Sequence, residues 1–279
     1  MKITCSANSA AGFTLIELIM VIVVLGTLSV GSMRFISDSA QGLVDTAERQ
    51  ALASTATIAV EKVLREVRRA LPNSVRSFSD GGNRCLELVP ILYSSEYVSI
   101  PTASAATSFD GIRFFNTVGT EQKFVAVYPT STVSVYGTDP ATLGAISAST
   151  VTVSGVDALT NLQTITFDGG ASYRFPTESP LKRFFLVSQP ISFCDDASGR
   201  LWRYQNYGFQ VSSAGSIPTT GSDRILIADS LQVASLQFNI SPAQLQRNAV
   251  VRMSLVIERG GLSAEKVDIS QEVQLRNVP

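Results

Sequence analysis

The chain has 279 residues, a formal net charge of -1, 16% charged residues and 45% hydrophobic ones. It is long enough to bury a core without metal staples, and its near-neutral balance offers no broad basic field to nucleic acid. It contains no histidine, which excludes Ser-His-Asp and Cys-His nucleophilic sites and removes the commonest metal ligand and general base. The mixture suits a β-rich exported domain with an apolar segment, not a disordered chain. The three cysteines, Cys5, Cys85 and Cys194, are an awkward odd number for an exported protein.

The apolar run starts at Phe13 and ends at Met33, before Arg34. At about 1.5 Å per residue it spans roughly 30 Å, the thickness of a bilayer core. Glu17 interrupts it. A carboxylate at mid-membrane costs about 3 kcal/mol, less near the interface. Glu17 is therefore either a functional intramembrane acid or an acid at headgroup level. An ordinary secretory signal places its small-residue cleavage site after the apolar region. Here the small residues Ala10-Ala11-Gly12 come before it. Lys2 before the run and Arg34 after it give only a weak orientation bias.

The helical pattern continues beyond Arg34. Val60, Val63, Leu64, Val67 and Leu71 fall on one helix face, and Glu61 and Arg65 pair on another. Pro72-Asn73 predicts an end at Leu71. Gly26, Gly31 and Gly42 are weak points, at about 1 kcal/mol each, or sites of close packing against other helices.

After Pro72 the pattern changes to strands and turns. Ser79–Asn83 reads as a loop, and Cys85–Val89 as a half-buried strand. Further predicted strands are Ile112–Phe115, Phe124–Tyr128, Thr132–Tyr136, Gln163–Phe167, Lys182–Ser188, Leu201–Gln205, Arg224–Ala228 and Leu236–Ile240. Residues 137–161, rich in Ala, Ser, Thr and Gly, read as a surface excursion with one strand. Val251–Ile257 and Val267–Leu275 alternate around Gly260-Gly261 and read as a hairpin with one buried face. Asp195-Asp196 reads as a turn, because adjacent strand residues point to opposite faces and do not share a ligand. Trp202, Tyr204, Tyr207 and Phe209 form an aromatic cluster. It is either core or a candidate contact for a ligand or another subunit. The class is α+β: a long N-terminal transmembrane spine helix packed on a β-rich head.

The segment Gly12-Phe13-Thr14-Leu15-Ile16-Glu17-Leu18 resembles the prepilin signal of type IV pilins and type II secretion pseudopilins. The resemblance implies cleavage by a prepilin peptidase between Gly12 and Phe13, and N-methylation of Phe13. It assigns Glu17 to assembly, neutralising the N-terminal amine of a neighbouring subunit. The implied organisation is a leader at 1–12, a helix at 13–71 and a pilin head at 72–279. Within the helix, 13–33 is transmembrane or filament core and 34–71 is amphipathic. The implied location is the inner membrane with a periplasmic head, then the pilus. Cys5 would leave with the leader. In the periplasm Cys85 and Cys194 are then expected to pair; the alternative is two buried thiols. Many pilins carry a proline where this chain has Arg34, and none lies between Phe13 and Leu71.

Scattered blocks extend the likeness along the chain: Arg65–Arg76, Cys85–Ile91, Val187–Cys194 with Leu201–Tyr204, and Gln274–Pro279. They are similar to the large minor pilins of mannose-sensitive haemagglutinin (MSHA) pili, while residues 95–180 carry little of the likeness. The resemblance implies a low-copy structural subunit at the pilus tip or in an initiating complex. A tip adhesin for a glycan or surface and a type II secretion pseudopilin are the other readings. Expected partners are the peptidase, other minor and major pilins, the assembly platform and inner-membrane lipid. No nucleic acid, metal or cofactor is expected, and no catalysis.

Overall fold

A computed structural model describes residues 12–137, 144–209, 223–242, 248–259 and 265–275. Residues 1–11 with Cys5, part of the 137–161 segment, the Gly260-Gly261 turn and the closing residues 276–279 lie outside them. The chain divides into two units, residues 1–51 and 52–279.

One helix, α1 (Leu15–Val67, 53 residues), begins in the first unit and ends in the second. It runs without a break through Gly26, Gly31 and Gly42, where an added Cβ would meet nothing within 4 Å. Residues 12–47 are exposed throughout. Thr27 and Ser29 turn their hydroxyls back onto the carbonyls of Val24 (3.0 Å) and Leu25 (2.7 Å). Their polar atoms are thus satisfied inside the helix, as an apolar surrounding requires.

In the second unit α1 has a buried face of Leu52, Ala56, Ala59, Val60, Val63, Leu64 and Val67, while Glu61 and Arg65 are exposed. The helix ends at Val67, not at the predicted Leu71. Pairing with the head outcompetes the last turn: Ile91 N–H bonds to Arg69 O (2.9 Å) and Leu71 N–H to Val89 O (2.8 Å). Leu71 is still fully buried.

Among the described residues fourteen strands follow: β1 (Arg76–Asp80), β2 (Asn83–Leu88), β3 (Ile91–Glu96), β4 (Ser108–Ile112), β5 (Phe124–Val127), β6 (Val151–Val153), β7 (Leu162–Phe167), β8 (Arg183–Val187), β9 (Ile191–Asp195), β10 (Leu201–Gln205), β11 (Asp223–Ala228), β12 (Gln237–Ser241), β13 (Ala249–Arg259) and β14 (Glu265–Leu275). They form four antiparallel sheets, in the orders β1-β2-β9-β10-β11, β12-β13-β14, β3-β8-β5 and β4-β7-β6. The architecture is α+β, a long apolar helix followed by a β-rich domain.

Two of these sheets, β1-β2-β9-β10-β11 and β12-β13-β14, share one core with the buried face of α1, through Leu86, Phe193, Met253 and Leu255 among others. The other two have their own core, including Phe109, Phe167, Phe175 and Phe184, with no residue from α1. This second group is an insertion. Residues 89–190 leave after β2 and return to β9, and those two strands pair directly, with Leu88 opposite Ile191 and Cys85 opposite Cys194. A smaller cluster of Leu71, Val89, Tyr136, Phe185 and Val187 fills its base.

Several segments differ from the sequence expectation. Thr132–Tyr136 is a short helix, α2. Ser131 Oγ accepts the Ser134 N–H and Ser134 Oγ accepts the Ser131 N–H, a capping box that overrides the apolar alternation. Ser79–Asn83 is the tip of the β1–β2 hairpin. Gly81 and Gly82 have φ of 57° and 93° there, which side-chain-bearing residues rarely adopt, as a tight hairpin turn requires. The strand expected at Ile112–Phe115 instead ends at Ile112, where the ladder with β7 stops. Part of the 137–161 segment is core: Ala145, Ile146 and Val151 are buried, with Ile146 bridged to Ala126.

The two faces of α1 in the head predict unequal mutational costs. Leu64→Ala should destabilise by about 2–5 kcal/mol through lost burial and a cavity. Ile58→Ala, at a position 52% exposed, should stay within about 0.5 kcal/mol. Denaturant unfolding of the purified chain in detergent checks this, and equal losses would contradict the assignment of faces.

Candidate functional site

The first candidate site is the start of α1. Thr14 caps it: its carbonyl accepts the N–H groups of Glu17 (3.1 Å) and Leu18 (3.2 Å), and its Oγ1 lies 3.4 Å from the Glu17 nitrogen. Phe13, 80% exposed, precedes the helix, and before it an added Cβ at Gly12 would meet nothing within 4 Å. Glu17 lies in the first turn, where the helix dipole favours a negative charge. Around it Leu15, Ile16, Leu18, Ile19 and Met20 are all exposed. The arrangement is an apolar rod with one acid near its tip. It is long and apolar enough to cross a membrane.

A family model described as the prokaryotic N-terminal methylation motif matches residues 7–33. The match supports a type IV pilin-like family. No curated protein and no solved structure matches the chain. The motif implies processing by a prepilin peptidase and assembly with other pilins, and together with the helix it fits a single-pass, membrane-anchored pilin.

The head holds the remaining expected residues. Cys85 and Cys194 are joined by a disulfide across β2 and β9, at a sequence separation of 109. On the chain-entropy account, closing such a loop stabilises by ~4–5 kcal/mol. Its location is informative: it staples the two strands where the inserted lobe departs and returns. Tyr204 and Tyr207 are buried against it, with Trp202 and Phe78 partly buried around them. The aromatic cluster is thus mainly the cover of the disulfide. Trp202 keeps a partly exposed ring, with the Arg224 guanidinium 4.4 Å from its centroid.

Asp195 and Asp196 point to different partners. Asp195 is buried and accepts the Arg84 N–H. Asp196 accepts the N–H groups of Ser198 (2.8 Å) and Arg200 (3.0 Å) and Trp202 Nε1–H (2.8 Å). Partial burial opposes the Asp196 charge, but these bonds together hold its carboxyl below the usual range. Asp196 closes the expected turn, while Asp195 ends β9 instead.

Beside the disulfide lies a buried polar network that sequence reasoning missed. Glu87, 1% exposed, is ion-paired with Arg76 and accepts the Tyr207 hydroxyl (2.9 Å). That hydroxyl also lies 2.6 Å from Ser192 Oγ. The Arg76 guanidinium stacks 3.7 Å from the Tyr136 ring centroid, and the Tyr136 hydroxyl donates to Ser74 O (2.7 Å). The network ties both neck strands to α2. The alternation read Cys85–Val89 only as a half-buried strand and named neither Glu87 as buried nor Arg76 as its partner.

Burial pushes the Glu87 carboxyl up, against the opposing pull of Arg76 and Tyr207. Native protein therefore holds this proton more tightly than unfolded protein. The stabilising contribution is complete below the unfolded pKa of about 4.5 and is lost as pH rises through the raised native value. Wild type should lose stability relative to Glu87→Gln as pH rises from about 4.5 toward neutrality. Carboxyls common to both proteins cancel in that difference. Paired melting curves in detergent measure it, and a difference that grows in favour of wild type with rising pH would contradict the burial argument.

Proposed function

We propose that this protein is a minor type IV pilin of the MSHA type, a structural subunit that initiates pilus assembly or sits at the pilus tip. The observation that carries the reading is the start of α1: a methylation motif, an exposed apolar helix and one acid in its first turn. The prepilin peptidase would cut between Gly12 and Phe13 and leave a methylated Phe13 amine. A second subunit's Glu17 would meet that amine in the filament core. In low dielectric an unpaired acid and an unpaired amine are each costly, and together they offset much of that cost. Glu17 would thus be unfavourable alone in lipid and favourable in a filament, which supplies both a drive for assembly and a register.

The mature chain would consist of the helix from Phe13 and the head, held periplasmic before assembly. An adhesin reading draws less support from the aromatic cluster now that Tyr204 and Tyr207 are seen buried. A secretion pseudopilin shares the motif, so pilus counts separate the two. A strain lacking the protein should show few or no surface pili by electron microscopy, and normal pili would contradict the initiating role.

Glu17→Ala tests the charge pairing. The variant should insert in the inner membrane as wild type does and fail to enter sheared filaments, as read by immunoblot of both fractions. Wild-type incorporation would contradict the pairing role.

A further inference from the structure

The head carries two open surfaces, one on the inserted lobe and one where that lobe meets the segment after α1. The first is an apolar tip. Phe115 is 100% exposed and Leu159 93%. Their turns are tied together at one end of the β4–β7 pair: Ile112 stands opposite Leu162, and Arg113 N–H bonds to Asn161 O (3.2 Å). Two large apolar side chains exposed on joined turns mark a contact surface. Asp157 decides what kind. It is exposed on the same turn, and its carboxylate accepts the Leu159 N–H (2.8 Å). That bond and one from Thr160 hold its carboxyl below the usual range. A charge fixed beside Leu159 resists burial in lipid. It suits an apolar protein cleft with a cationic rim.

The second surface is a cleft that carries cations. It measures about 480 Å³ and lies between the β3–β8 pair and the segment that follows α1. Half-buried Ile91 and the buried Phe185 and Pro72 are its apolar lining, and Arg68 and Arg183 supply its cations. Neither arginine forms an ion pair among the described residues. Glu96 stands opposite Arg183 in the ladder, and Arg68 keeps the rim net positive.

We infer that the Phe115–Leu159 tip of one copy docks in the Arg68–Arg183 cleft of a second copy, with Asp157 against the arginines. Tip and cleft are different patches, so the contact is head to tail and leaves a free cleft and a free tip at the two ends. A pair or short stack of heads results. The contact uses neither Glu17 nor the apolar helix, and so goes beyond the pilin reading and does not depend on it.

The test uses the full chain in detergent with Cys5→Ser, so that only introduced thiols react. One preparation carries Asn116→Cys beside the tip; another carries Ser94→Cys, an exposed residue lining the cleft. Mild oxidation of the mixture should give a cross-linked dimer, and the double variant a ladder. Arg68→Glu with Arg183→Glu in the cleft copy should cut the yield by roughly tenfold, the scale of a lost close charge contact. Adding Asp157→Lys to the tip copy should restore it. All variants should keep the wild-type melting temperature, since the positions are exposed or half-buried. Absence of the mixed dimer, or a yield indifferent to the charge reversals, would overturn the inference. Because no filament enters the assay, either result leaves the Glu17 question to its own experiment.

Discussion

A carboxylate near the tip of a long apolar helix is the constraint on which the rest depends. Residues 12–47 are exposed, and the run from Phe13 to Met33 is mostly apolar. Water is a poor surrounding for Ile16, Ile19 and Ile22, and lipid is a poor one for Glu17. An environment that satisfies both is a bundle of like helices, apolar along their length, with a positive partner at the level of Glu17. The methylation motif over residues 7–33 marks the place where such a partner, a new N-terminal amine, would be made. The proposed function follows from this conflict between one charge and its surroundings.

The head solves a different problem with the second half of the same helix. Residues 52–67 bury an alanine- and valine-rich face that two sheets close over. The Arg203 Nε–H, shared between both carboxylate oxygens of Glu66 (2.9 and 3.1 Å), adds a polar tie between β10 and α1. The inserted lobe is built on this scaffold without the helix. Its aromatic core contains edge-on contacts such as Phe109–Phe184 and Phe114–Phe184, with centroids 5.3 and 5.7 Å apart. Its neck is held three ways: by the Cys85–Cys194 bridge, by the Leu88–Ile191 pairing and by the Glu87–Tyr207–Ser192 bonds. A lobe so attached leaves the contacts with α1 to the two sheets that pack on it.

Much of this was legible in the sequence because period and burial agreed. The Val60–Val67 face, the β13–β14 alternation and the Leu201–Gln205 strand all match, since each has one face in a core. Cys85 and Cys194 were legible as candidates, though not as the staple of an insertion. The failures share a cause, which is long-range pairing that local pattern does not encode. Residues 69–71 left the helix for partners at 89–91. Ile191–Asp195 became the central strand β9 because it met β2, more than a hundred positions earlier in the chain. Thr132–Tyr136 failed the other way, where two serines made a helix of an alternating segment. Arg76 and Glu87 face each other across the β1–β2 hairpin, but Tyr207 comes 120 positions after Glu87, so the network as a whole was illegible.

The most direct test of the central claim is the intact mass of the protein recovered from native membranes or pili. The account predicts a chain that begins at Phe13, carries one added methyl group on its amine and lacks two hydrogens for the Cys85–Cys194 bridge. A mature chain that still begins at Met1 would contradict it, because no free amine would then be presented to Glu17 of a neighbouring subunit.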